Sequence, residues 1–146
     1  MSGVQNGAFE VNEVYVVSSG TYSDYGIVGI FDDFELAQKA NASTCEANEI
    51  ETYPINPDAD KYRQGLWPFF VEMKKNGDVV DVGKEKRDSN YIADWGSPGE
   101  HIFRAAIWAR DEKHAIKIAN ERRGYILAMN MWPEKGYASM DLWGED

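Results

Sequence analysis

The chain is poor in the residues that usually announce chemistry. It has one cysteine, Cys45, in 146 residues. A lone thiol cannot build an internal disulfide framework, which makes a reducing compartment, the cytoplasm, the expected setting. Histidine is almost as scarce, with only His101 and His114. No Cys or His pair stands at ligand spacing, so no metal is expected, and nothing beside Cys45 would activate it as a nucleophile. No apolar run approaches the ~18 residues of a membrane span. The opening MSGVQNGAFEVN has neither a basic start nor an apolar stretch, so no signal peptide and no membrane association are expected. GTYSDYG has no following lysine and opens a strand rather than a helix, which excludes a phosphate-cradling P-loop. No two carboxylates stand at a spacing that marks an acid–base pair. No cofactor is expected.

Basic residues are the most unevenly missing. Residues 1–60 hold eleven Asp and Glu against the single Lys39, whereas residues 61–146 hold fourteen acids and fourteen Lys and Arg. The whole net charge of −10 therefore belongs to the first two-fifths of the chain. Phosphates would be repelled there, so no direct nucleic-acid binding is expected. A protein partner with a basic surface fits this charge; a merely solvated face fits it as well.

What is present is a globular composition, 43% hydrophobic and 13% aromatic, of a length suited to one domain over 1–146. EVYVVSS (13–19) and YGIVGIF (25–31) are β-branched and aromatic runs of strand length, apolar enough to expect cover on both faces. The residues between them fit a hairpin with Gly20 at positive φ. DDFELAQKANAS (32–43) switches to a helical period. Asp32 and Glu35 are placed for a capping box, and Leu36, Ala37 and Ala40 share one face. NEIETYPI (48–55) alternates, with Pro54 assigning it to a sheet edge. A loop is expected to residue 65. LWPFFVEMKK (66–75), a turn at Asn76-Gly77 and DVVDVGK (78–84) form a second hairpin. An irregular connection (85–100) leads to the strand HIFRAAIWA (101–109).

The longest helix is expected over 111–131. Asp111 would cap it, and Gly124 would end or bend it. Residues 132–146 form a tail anchored by Trp132 and Trp143. IVGIF-DDFELAQKAN and RAAIWA-RDEKHAIKIAN echo each other as strand, acidic cap and helix. The fold class these elements imply is α+β: a single layer of five to six mostly antiparallel strands with two helices packed on one face.

Within the acidic part, VYVVSSGTYSDYGIVGIFDDFELAQKAN resembles the start of a family of small uncharacterised phage and bacterial proteins. These open with a strand, a Ser-Gly-x-Tyr-Ser-Asp-Tyr segment, a second strand and a helix. The resemblance covers about the first 55 residues and centres on Tyr22-Ser23-Asp24-Tyr25. It implies a phage or mobile-element setting inside a bacterial host cell. In that setting small acidic proteins bind and redirect host proteins. It carries over no catalytic residue.

Two readings of the Tyr-Ser-Gly segment compete. Ser23 and Asp24 could satisfy turn amides while Tyr25 starts a core strand. Alternatively Tyr22, Ser23, Asp24 and Tyr25 are presented to a partner, a composition suited to adaptable contacts. Asp33, Glu35 and Glu49 would extend the acidic contact. Trp67, and similarly Trp95, would serve as aromatic anchors. The function expected is a non-enzymatic acidic binding protein that engages a host or partner protein, with inhibition as one consequence. The alternatives are a small enzyme whose site is scattered through the sequence, or a nucleic-acid mimic. A structural protein of a particle would need long arms, which the chain lacks.

Overall fold

The computed structural model describes residues 11–94 and 100–143. Contacts divide the chain into two compact units, residues 1–57 and residues 58–146.

The first unit is built on β1 (Glu13–Ser19), flanked by β2 (Gly26–Phe31) and β3 (Glu51–Pro54), both antiparallel to it. Pro54 does lie on an edge strand, where its missing N–H costs no ladder bond. The helix α1 (Phe34–Ala42) packs on β1 and β2, burying Ala37 and bringing Phe34 to 5.2 Å from the Tyr15 ring. Its N-cap is Asp33, whose Oδ1 accepts from Leu36 N–H at 3.2 Å. The capping-box pairing of Asp32 with Glu35 therefore gives way to a cap one residue later, where the extended backbone of Asp33 aims its carboxylate at the first turn.

Among the described residues, the expected cover on both faces of the first hairpin is incomplete: Val16 of β1 is buried, but the residues of β2 beside it are exposed. Directly opposed residues share a sheet face, so Tyr15 and Phe31 face α1 while Val16 and Ile30 face away. A bulge after Val17 puts Ile27 opposite Ser18 and leaves Val28 unpaired. That bulge turns Ile27, Val28 and Ile30 together off the helix side, and they are 58%, 51% and 61% exposed. Tyr53, opposite Val14, lies on the same open face.

The second unit carries β4 (Trp67–Lys74), β5 (Val79–Lys84), β6 (Tyr91–Asp94), β7 (His101–Ala109) and β8 (Ala138–Ser139) in the order β5-β4-β7-β6-β8, every pairing antiparallel. α2 (Ala59–Arg63) precedes the sheet, and α3 (Glu112–Ala128) packs on β7 and β4. Phe69, Val71, Met73, Phe103, Ala105 and Ile107 form the sheet side of a dense core that Ala115, Ala119 and Ile126 of α3 complete. Asp111 caps α3, accepting from His114 N–H at 2.8 Å. Gly77 takes φ 98° in the β4–β5 turn. Trp132 and Trp143 pack against the core, and Met140 between them is buried.

The α+β class and the antiparallel pairing are those the sequence implies. The described strands number eight, in sheets of three and five instead of one layer, and a third helix joins the two expected. α2 occupies what reads as loop, β6 lies inside the irregular connection and β8 inside the tail. α3 continues through Gly124 to Ala128, so the position does not end the helix.

Candidate functional site

Tyr22, Ser23 and Asp24 form a 3₁₀ turn between β1 and β2. The turn is held by main chain and by one distant side chain. Asp24 N–H donates to Thr21 O at 2.9 Å, Tyr25 N–H to Tyr22 O at 3.2 Å and Gly20 N–H to Glu46 O at 3.1 Å. Asn48 Nδ2 donates to Gly20 O at 3.0 Å and to Ser18 Oγ at 3.2 Å, tying the loop base to the segment after α1. Gly20 takes φ 79°, and a Cβ there would stand 2.3 Å from Asp24 O. Glycine is thus required at the one point where the chain doubles back on itself.

The side chains of Ser23 and Asp24 take no part in this bonding. No side-chain hydrogen bond or ion pair of Tyr22, Ser23, Asp24 or Tyr25 is formed among the described residues, and all four are exposed. Tyr22 is 98% exposed and sits at φ 49°. A bulky residue in the left-handed region carries about 1–3 kcal/mol of strain, and here no burial offsets it. Tyr25 continues directly into the open apolar face of Ile27, Val28 and Ile30.

The acids divide between the two ends of β2. Asp24, Glu46 and Glu49 lie toward the loop end, since Ser19 bridges Ala47 and Asn48 N–H bonds Ser18 O. Asp33 and Glu35 lie at the start of α1, beyond the other end of β2. Six strand residues at about 3.4 Å each separate the groups by about 20 Å, so these carboxylates make two clusters and no continuous row. Asp33 is also occupied by its capping bond, while Glu35 and Glu49 are exposed. Glu51 accepts from Tyr53 OH at 2.9 Å and Glu13 from Tyr15 OH at 3.1 Å. Each carboxylate holds its partner's phenolic proton, pushing both tyrosines above the ordinary value.

Trp67 belongs to the second unit, at the start of β4. Lys84 Nζ stands 4.1 Å over its ring and Tyr62 meets it edge-on at 6.4 Å. Trp95 lies outside the described residues. Both histidines serve the fold of the second unit: His101 Nε2 lies 3.1 Å from Gly136 O, and His114 Nδ1 accepts from Arg110 N–H at 3.1 Å. Among the described residues no group of three His, Cys, Asp or Glu could hold a metal ion, and no helix is long and apolar enough to cross a membrane.

Sequence reasoning missed Asn48, which fixes the loop, and the outward Ile27, Val28, Ile30 and Tyr53. Gly29 inside the strand pattern GIVGIF is the one local hint of the bulge beside Val28, and Asn48 reads as any loop asparagine.

In class, the first unit is a small α+β hairpin-and-helix module with a main-chain-bonded aromatic loop and exposed apolar side chains along β2. Residues 12–66 match the family model of a domain of unknown function (DUF7336). The matched segment holds all three strands and the helix of the first unit and runs through α2. No curated protein and no solved structure matches the chain.

Proposed function

We propose that the chain is a non-enzymatic binding protein. Its first unit engages a partner protein through Tyr22, Asp24, Tyr25 and the adjoining face of Ile27, Val28 and Ile30. The single observation that carries this reading is that the loop's own bonding leaves those loop side chains unused while holding their backbone in a strained, exposed turn. Strain at a fully exposed tyrosine confers nothing on folding, and presentation to a partner gives it a purpose. The apolar face supplies contact area; Asp24 and Glu49 at one end, with Glu35 at the other, favour a partner rimmed by Lys and Arg. A phage or mobile-element protein that redirects a host protein is the biological setting this chemistry suits. Nucleic-acid mimicry is the weaker reading, because duplex DNA presents one charge per about 1.7 Å, whereas here the end groups of acids stand about 20 Å apart with Glu51, held by Tyr53, between them.

The test compares capture from a bacterial lysate by the wild type and by the Tyr22→Ala/Asp24→Ala double variant, followed by association kinetics with the captured protein. The expected result is a stoichiometric partner held by the wild type and lost by a folded double variant. Its association should slow steeply as salt rises, and slow again in Glu35→Lys/Glu49→Lys. A partner retained by the double variant, at a rate indifferent to salt, contradicts the proposal.

A further inference from the structure

A cavity of about 610 Å³ opens within the second unit. One wall is an uncovered length of β7. β6 pairs with β7 only between His101 and Arg104. Further along, side chains cap the strand: Asn90 Oδ1 accepts from Ala106 N–H at 2.9 Å, and Arg122 Nη1 donates to Ala106 O at 3.0 Å. In an antiparallel ladder, alternate residues direct their N–H and C=O to the same side. The main-chain groups of Trp108 therefore face as those of Ala106 do. On its other side Trp108 stands opposite Pro68, which has no N–H and whose carbonyl accepts from Glu85 N–H at 3.0 Å. The N–H and C=O of Trp108 thus border the cavity with no strand paired to them among the described residues.

The charge around this edge is positive. Lys61, Lys86, Arg87 and Arg122 line the cavity against Asp88 and Asp141, with Lys86 paired to Asp58 and Arg87 to Glu72 and Glu85. The Asp141 carboxylate is already engaged by Asn90 N–H at 2.7 Å and Ser139 Oγ at 2.9 Å. Lys61 Nζ lies 5.1 Å from the Trp108 ring and has no carboxylate at ion-pair distance among the described residues. The aromatic faces are in use: Lys61 and Lys86 lie over Trp108, at 5.1 and 5.2 Å, and Arg122 lies over Trp143 at 4.8 Å. A nucleobase would have to displace these cations to stack. A peptide main chain needs only the edge that is open.

We propose that this cavity binds an acidic peptide segment of a partner protein in extended form. The segment adds as a strand beside Trp108, with a carboxylate toward Lys61. This site is separate from the loop of the first unit, and the proposal does not depend on that loop's role.

The experiment titrates the full chain into a fluorescein-labelled heptapeptide of alternating Glu and Val, read by anisotropy at low salt. Saturable binding is expected. Lys61→Glu should weaken it at least tenfold and Lys61→Gln by a smaller factor, with the tryptophan spectrum of each variant unchanged. Lys39→Glu, in the first unit, should leave it unaltered. The same peptide N-methylated at alternate amides should not bind, because strand addition requires those N–H groups. Absence of saturable binding overturns the proposal. So does equal affinity for the N-methylated peptide, or for the Lys-and-Val counterpart. Displacement of the peptide by adenosine triphosphate at lower concentration would instead assign the cavity to a nucleotide and overturn it equally.

Discussion

The two units use one local plan to different ends. In each, a strand runs into an acidic residue that caps a helix, and an Ala-Asn pair follows seven or eight residues after the cap (Ala40-Asn41 near the end of α1, Ala119-Asn120 in the middle of α3). In the second unit that helix is seventeen residues long and buries Ala115, Ala119 and Ile126 on a five-stranded sheet. In the first it is nine residues long and buries Ala37 on three strands, with Val16 and Val17 as the other buried apolar residues among those described. The first unit also carries the acid excess and turns Ile27, Val28 and Ile30 outward. The same motif therefore serves as a core in one place and as a support for a surface in the other. What decides between them is how many strands lie beneath the helix and which way a bulge turns the edge strand.

Five tryptophans make the comparison measurable, because all of them lie between residues 58 and 146. Tryptophan fluorescence follows the second unit alone, and far-ultraviolet dichroism follows both. The largest effect is expected from Phe103→Ala. It empties a fully buried site and should cost about 3–5 kcal/mol in urea unfolding read by fluorescence. Ile30→Ala, read by dichroism, should stay within about 0.5 kcal/mol of the wild type. An Ile30→Ala loss as large as that of Phe103→Ala would mean that the β2 face is covered.

Next in size is Gly20→Ala. The added Cβ meets Asp24 O at a positive φ, so the loop must shift at a cost of about 1–3 kcal/mol. Dichroism should register this loss.

Asp141 sharpens the other side. The Asn90 N–H, and after it the Ser139 hydroxyl, hold its carboxyl below the ordinary value against some desolvation. A group depressed in the folded state stabilises above its unfolded value, about pH 4, and loses that contribution as pH falls through the folded value. Because Asp141 is itself exposed, solvent screening discounts the effect, and Asp141→Asn should cost about 0.5 kcal/mol or less at pH 7. The gap between variant and wild type should close on acidification below pH 4. A gap that persists at pH 2 would mean the loss is one of packing and not of the charge.

Much of this architecture is legible in the sequence. β1, β2, β4, β5, β7, α1 and α3 announce themselves by period, and Gly20 and Asn76-Gly77 by turn chemistry. β6, β8 and α2 do not. They span four, two and five residues, and β6 and β8 hold through partners far along the chain, as in the bond from Asn90 to Asp141. Windows of that size carry no periodic signal. The exposed aromatic loop is visible as composition, but its fixation by Asn48 and Glu46 is not, because that depends on how the segment after α1 returns to β1. The cavity edge at Trp108 is equally hidden, since it exists only because β6 stops short.

The smallest expected effect on stability bears most on function. Tyr22→Gly relieves the left-handed backbone at the cost of a freer unfolded chain, so stability should change by a few tenths of a kcal/mol at most, or rise. Partner binding should nevertheless fall sharply. Full binding by Tyr22→Gly would leave the strained tyrosine without a role.

The central claim is that the first unit is the presented surface. Hydrogen–deuterium exchange of the chain, free and saturated with the protein it captures, tests this most directly. The account predicts new protection at residues 20–30, across the loop and β2, with exchange in β4 and β7 unchanged. Protection confined to the second unit, with residues 20–30 exchanging as in the free chain, would contradict it.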